Sequence, residues 1–260
     1  MKNKTATLSV LLLVAFACSI GCNEKSYAAS RPIDPKTGCP KDGKYSEVSA
    51  ILLDTTDSLS PVQQEAVQKK LDEFAENVPR YGELEVFVVR PSSDRLIEPL
   101  LQVCNPGRAS DTNVFTGNPR LMEKRWRDKF KDPLDRTLNA TLSNGVSSKQ
   151  SPIMEEIQQV SVQAFFETPP KTSKRFAIVS DMLQNSPVLN QYHDSGSFEQ
   201  FRNTPGFVKV RPELKDVEIT VLYVRRSSDL QRQGKRHVEF WQGFFDAAGA
   251  EVKEVKSVNG

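Results

Sequence analysis

Histidine is nearly missing from this chain: His193 and His237 are the two present in 260 residues. That leaves histidine-based acid–base catalysis and multi-histidine metal sites with few candidates. His193 lies in a polar stretch and His237 at the start of an expected helix, and both read as surface residues. There is no G-x-x-x-x-G-K-[ST], no G-x-G-x-x-G and no G-x-S-x-G, so phosphate-cradling loops and a nucleophile elbow lack support. An excess of one charge is missing too. The chain holds 35 basic and 33 acidic residues, and without Lys2 and Lys4 of the N-terminal segment 33 of each remain. Such a balance gives no electrostatic case for nucleic acid. No internal repeat occurs.

Cysteine is also scarce, with four residues. Two of them, Cys18 and Cys22, fall in or beside an apolar segment. Lys2 and Lys4 precede Leu8–Ile20, which is apolar apart from Ser9 and Ser19 and is followed by polar Asn23-Glu24-Lys25. The run is short for a membrane span and reads as an export signal over residues 1–22. Ser19-Ile20-Gly21-Cys22 resembles a bacterial lipobox, which would lipidate Cys22 and anchor the chain; Ala15-Phe16-Ala17-Cys18 is a weaker form of it. Ser26-Tyr27-Ala28 offers ordinary signal cleavage instead. Either route places the protein outside the cytoplasm, in the periplasm or cell envelope. There Cys39 and Cys104 can pair as a disulfide, the alternative being two free thiols. Neither has a partner at zinc-site spacing.

What the chain does have is a run of short apolar segments separated by helical patterns. Residues 23–45 are rich in Pro, Gly, Lys and Ser and read as a tether. Strands are expected at 48–53, 84–89, 176–180, 217–224 and 251–255, with an edge strand over 97–103 that tolerates Pro99. Helices are expected at 62–78, where Val62, Ala66, Leu71, Phe74 and Val78 share a face, and at 121–138, interrupted near Pro133. Further helices are expected from Ile153, over 198–202, and through Val238, Trp241, Phe244 and Phe245 to Gly249. Strands alternating with helices over residues 46–257 imply an α/β domain: a doubly wound, mainly parallel sheet with helices on both faces.

The segment Ile51-Leu52-Leu53-Asp54-Thr55-Thr56-Asp57-Ser58 carries the strongest chemical signal. A buried strand ends in oxygen side chains, and Asp54, Thr56 and Ser58 alternate so that a loop can turn all three toward one point. One carboxylate and two hydroxyls suit Mg²⁺ or Mn²⁺ rather than zinc or copper. The plainer reading is a polar strand-to-helix turn with Ser60 as N-cap. In a doubly wound sheet ligands bind beyond the carboxyl ends of strands. Asp54 and Asp181 both sit at such ends, and Ser151 precedes a helix from which it can join them.

Asp54-x-Thr56-x-Ser58, Ser151-Pro152-Ile153 and the strand delivering Asp181 resemble, in that order, the metal-ion-dependent adhesion site of von Willebrand factor A-type domains. The resemblance covers roughly residues 46–257 and implies the doubly wound fold with one antiparallel edge strand. It also implies Mg²⁺ or Mn²⁺ held by Asp54, Thr56, Ser58, Ser151 and Asp181, and a partner protein whose Asp or Glu completes the metal shell. This chain departs from the pattern in two places. Ser151 stands where Thr is usual, leaving Thr137, Ser147 and Ser148 as alternatives, and Met182 follows Asp181 where Gly is usual. Such a site binds rather than turns over. Two other readings stay open: a Mg²⁺-dependent phosphoryl-transfer enzyme with Asp54 as nucleophile, although Thr56 holds the place of its expected second Asp, and a metal-free interaction module. The polar loops at 104–120 and 184–206 are expected to border the metal edge.

Overall fold

The computed structural model describes residues 31–91, 96–112, 117–145, 147–193 and 196–260. The expected export signal, Cys18, Cys22 and the start of the tether lie outside them. Residues 32–260 form one compact unit. Six strands make a single sheet: β1 (Glu47–Leu53), β2 (Glu83–Val88), β3 (Leu101–Cys104), β4 (Ser173–Ser180), β5 (Val217–Val224) and β6 (Glu251–Val258). They lie in the order β3-β2-β1-β4-β5-β6, and every pairing is parallel except β2 with β3. β1 and β4 are central, which explains the apolar runs Ala50–Leu53 and Phe176–Val179 in their carboxyl halves.

Period-two alternation divides β1 between two cores. Val48, Ala50 and Leu52 face one layer, with α4 (Ile153–Val160), α5 (Phe198–Arg202), α6 (Pro205–Val210) and α7 (Lys235–Ala247). Ile51 and Leu53 face the other, with α1 (Pro61–Glu76), α2 (Pro119–Trp126) and α3 (Asp132–Ser143). The first layer is dense in aromatics: Phe198 meets Phe240 edge-on at 5.8 Å, and Trp241 meets Phe244 at 5.3 Å. Pairs of this kind add about 0.5–1.5 kcal/mol each beyond their burial. α7 ends as its sequence suggests, with Gly249 at φ 78°, a left-handed conformation natural to glycine.

α1 begins where Ser60 caps it. The Ser60 hydroxyl accepts from Gln63 N–H at 3.2 Å, and Gln63 Oε1 accepts from Ser60 N–H at 3.1 Å. Of the expected face, Leu71 and Val78 are buried and Ala66 and Phe74 pack against the core at its margin. Gln63, Val67, Leu71 and Ala75 are buried, while Val62 is 64% exposed. Between α2 and α3 the helix widens into a π-helical turn, Arg127–Lys131, in which Asp132 N–H donates to the Arg127 carbonyl. That widening comes just ahead of Pro133, whose ring and missing N–H disturb a regular helix. β3 is shorter than expected and carries the chain back, antiparallel, to the amino ends of β1 and β2. There Cys104 forms a disulfide with Cys39, their Cα atoms 4.7 Å apart, and Cys104 N–H donates to the Thr37 carbonyl at 3.0 Å.

The direction of β3 corrects one expectation. The loop after Cys104 starts at the edge of the sheet opposite Asp54, where Asn105 N–H donates to Gly82 O. Of the described residues in these two loops, those of the 184–206 region reach the Asp54 edge, where Asn185 pairs with Ser151. No helix among the described residues is long and apolar enough to cross a membrane.

Candidate metal centre

The carboxyl ends of β1, β4 and β5 meet at one edge of the sheet. Asp54 follows β1 directly and is 8% exposed, its own N–H still bonded to Val179 O at 2.8 Å. Its Oδ1 accepts from the Thr56 hydroxyl at 2.6 Å and from Thr56 N–H at 3.1 Å, closing a tight Asx turn. Its Oδ2 accepts from the Ser180 hydroxyl at 2.7 Å and from the Ser151 hydroxyl at 3.3 Å. Thr56 Oγ1 and Ser151 Oγ are 3.1 Å apart. Three hydroxyls from three segments therefore converge on one carboxylate.

Ser151 is brought there by backbone pairing. Ser151 and Asn185 exchange two N–H···O bonds, each 2.9 Å, and Ser148 N–H donates to Thr56 O at 2.9 Å. Of the alternative hydroxyls, Thr137 donates to Pro133 O inside α3 and Ser148 accepts from Gln150 N–H. Ser151 is the one that reaches Asp54.

Asp181 is 4% exposed at the end of β4. Its Oδ1 accepts from Leu183 N–H at 2.9 Å, and its Oδ2 lies 3.2 Å from Nε of Arg226. Burial is the main cause holding its carboxyl pKa above the ordinary aspartate range, followed by the charge of Asp54; the Leu183 amide and Arg226 pull it back. Asp57 is raised as well, first by burial and then by Asp54 and Asp229, with Arg226 opposing. Across the edge the Tyr192 phenol is pushed up, mainly by burial and then by Asp181 and Asp57. Carboxylates thus outnumber cations here.

Met182 stands where glycine was the usual residue, and its φ of 60° shows what glycine would serve. A non-glycine residue in this region costs on the order of 1–3 kcal/mol. The turn is held by its surroundings: Met182 N–H donates to Ser180 Oγ at 2.7 Å, and its carbonyl accepts from Trp241 Nε1 at 2.8 Å. That carbonyl is also 3.0 Å from His237 Nε2, while Tyr223 OH is 2.7 Å from His237 Nδ1. His237, expected at the surface, is buried beneath this turn; His193 is exposed.

Ser58 does not join the cluster. Its hydroxyl donates to Gly145 O at 3.2 Å. Two participants were missed in the sequence. Ser180 reads there only as the last residue of a strand, and Arg226 as part of a polar loop. Arg226 Nη1 donates to Ser58 O at 2.6 Å and Nη2 to Asp57 O at 3.2 Å, besides the bond to Asp181.

The donor set fits a hard divalent cation in type: buried carboxylates and hydroxyls, no thiolate or imidazole, and an excess of negative charge. Asp54, Thr56 and Ser151 are already together, with Asp181 beside them. A second grouping, Cys39, Cys104 and Glu83, brings ligand-type atoms within 4.8 Å, but its sulfurs are bonded to each other and offer no thiolate.

No family model matches the chain, and no curated protein matches it. Among solved structures it is similar to the SpRpn10 VWA domain, at 11% identity over 82% of this chain and 88% of that one, TM-score 0.41. It is also similar to proximal thread matrix protein 1 from the mussel byssus, with a zinc-occupied MIDAS motif. There the identity is 9%, over 84% of this chain and 44% of that chain, again with TM-score 0.41. Likeness at this level leaves the site to be read from its own geometry. The doubly wound α/β sheet with one antiparallel edge strand is the architecture the von Willebrand factor A-type resemblance implied.

Proposed function

We propose that this chain is an exported protein-binding module of the cell envelope, tethered through Cys22, that docks an acidic side chain of a partner through Mg²⁺ or Mn²⁺. The observation that carries this reading is Asp54, with hydroxyls of Thr56, Ser151 and Ser180 around it and the buried carboxylate of Asp181 beside it. Asp54, Thr56 and Ser151 would hold the cation, with Asp181 adding charge and Ser58 turning in from Gly145. The ion would supply a positive centre able to accept a partner's carboxylate. Mg²⁺ keeps waters where protein oxygens run short, which leaves positions a partner can take.

Titration of the full chain with Mn²⁺ and Mg²⁺ by calorimetry tests it, beside Asp54→Ala. Saturable binding lost in a folded Asp54→Ala variant supports the reading; a partner complex indifferent to chelator and to Asp54→Ala sinks it. Mass spectrometry of the exported chain for a lipid on Cys22 tests the anchor separately.

A metal-free interaction module is the second reading, favoured by the Arg226–Asp181 pair and the averted Ser58 hydroxyl. Phosphoryl transfer fits less well. Each oxygen of Asp54 already takes two donors, which makes it a poor nucleophile.

A further inference from the structure

Arg226 occupies an unusual place for a loop arginine. Its side chain is 16% exposed, and it leaves the end of β5 to lie between the ends of β4 and β1. Three of its N–H groups are spent on Asp181 Oδ2, Ser58 O and Asp57 O. Its backbone is held separately. Arg226 N–H donates to Gln233 Oε1 at 2.8 Å, and the Gln233 amide donates to Asp181 O at 3.0 Å and Val224 O at 2.7 Å. The side chain can therefore leave without moving β5. It is bonded to the Asp181 carboxylate, and through the Asp57 and Ser58 carbonyls it grips the same loop that carries Asp54, Thr56 and Ser58.

We propose that the Arg226 guanidinium is a tethered competitor of the divalent cation, holding the site closed until metal displaces it from Asp181. The proposal rests on the metal-docking reading above. Its physical basis is that a guanidinium and a divalent ion, a few ångströms apart among buried groups, repel strongly, so they exclude each other at Asp181. Departure of Arg226 also frees the Asp57 and Ser58 carbonyls. The Asp57–Ser58 loop then has one tie fewer, and the Ser58 hydroxyl can exchange Gly145 O for the cluster. Metal uptake and loop rearrangement are thus one event, and a partner would meet the rearranged loop only in the metal-loaded state. An acidic partner surface would find the released guanidinium beside the cation, a second positive group for the same docking step.

The test is a Mn²⁺ titration of the full-length wild type, Arg226→Gln and Asp54→Ala by calorimetry, with thermal midpoints in chelator and in Mg²⁺. Arg226→Gln should bind Mn²⁺ about tenfold or more tightly than wild type, since the competing charge-assisted bonds are gone. Its midpoint should fall in chelator, and at a given Mg²⁺ concentration it should rise by more than the wild-type midpoint does. Equal affinity in wild type and Arg226→Gln, with binding lost in Asp54→Ala, overturns the competitor and leaves the metal site standing. No binding in either chain overturns both. Should Arg226→Gln fail to fold, the wild type still decides: the Arg226 side-chain ¹⁵Nε resonance should move as Mg²⁺ saturates the site. Saturation without that movement overturns the proposal.

Discussion

Ser180 Oγ lies 2.7 Å from Asp54 Oδ2, joining the last residue of β4 to the first residue beyond β1, 126 positions away in the chain. The same hydroxyl oxygen accepts from Met182 N–H. One serine thus orients the central carboxylate and supports the left-handed turn after Asp181. Ser180→Ala should destabilise the protein by roughly 1–3 kcal/mol, because a buried carboxylate loses a donor and a buried amide its acceptor. Urea unfolding should show a lower midpoint at an unchanged slope. An unaltered midpoint would mean the bond is dispensable.

The Cys39–Cys104 bridge spans a sequence separation of 65 residues. Closing a loop of that size restricts the unfolded chain by about 4 kcal/mol in the chain-entropy description. Reduction, or Cys39→Ala with Cys104→Ala, should therefore lower stability by up to that amount. The Asp54 edge lies at the far end of the strands, so metal affinity should stay as it was. Parallel melting and Mn²⁺ titration of both forms would separate the two effects.

Glu85 on β2 is 4% exposed, and its Oε2 has no hydrogen-bond partner among the described residues. Burial, then the charge of Glu83, pushes its carboxyl up to about 8. The folded state therefore holds a proton that the unfolded chain releases near its ordinary 4.5. This carboxyl's contribution is fully present below that value and is lost as pH rises toward 8. Glu85→Gln should be close to neutral at pH 4 and stabilising at pH 8, by roughly 2–4 kcal/mol. Denaturant titrations at the two pH values check it, and equal effects at both would refute it.

His237 works in the opposite sense. Burial holds its imidazole down at about 4, with Arg225 adding to the effect and the bond to Met182 O opposing it. Between about 6.5 and 4 the unfolded chain binds a proton that the folded one refuses, so stability falls as pH falls through that window. The loss should reach on the order of 3 kcal/mol. Its proton NMR signal should keep the neutral position down to about pH 5, and titration near 6.5 would contradict this burial.

Much of the architecture was legible because it depends on local pattern. The apolar run before Asp54 and the one before Asp181 each read as a buried strand. Ser60 read as a cap, Gly249 as a helix stop, and Pro99 confined its segment to a sheet edge. The convergence of Asp54, Thr56 and Ser151 at one edge also followed from strand-end logic, since parallel strands bring their carboxyl ends together. The burial of His237 was not legible, because the turn that covers it is built by Asp181 and Met182, more than fifty residues earlier. Nor was the position of the loop after Cys104, although an antiparallel β3 had to deliver it to the far edge.

The sequence by itself determined the alternation of strands and helices and the residues at each strand end, because hydrophobic period and turn chemistry act over a few neighbouring positions. Only the tertiary structure decided which donors those end residues meet. Ser58 turned to Gly145, Ser180 reached Asp54, and Arg226 crossed 168 positions of sequence to the Ser58 carbonyl. Such choices are made by rotamers and charges of segments remote in the chain, which compete for the same few buried oxygens once the sheet has brought them together.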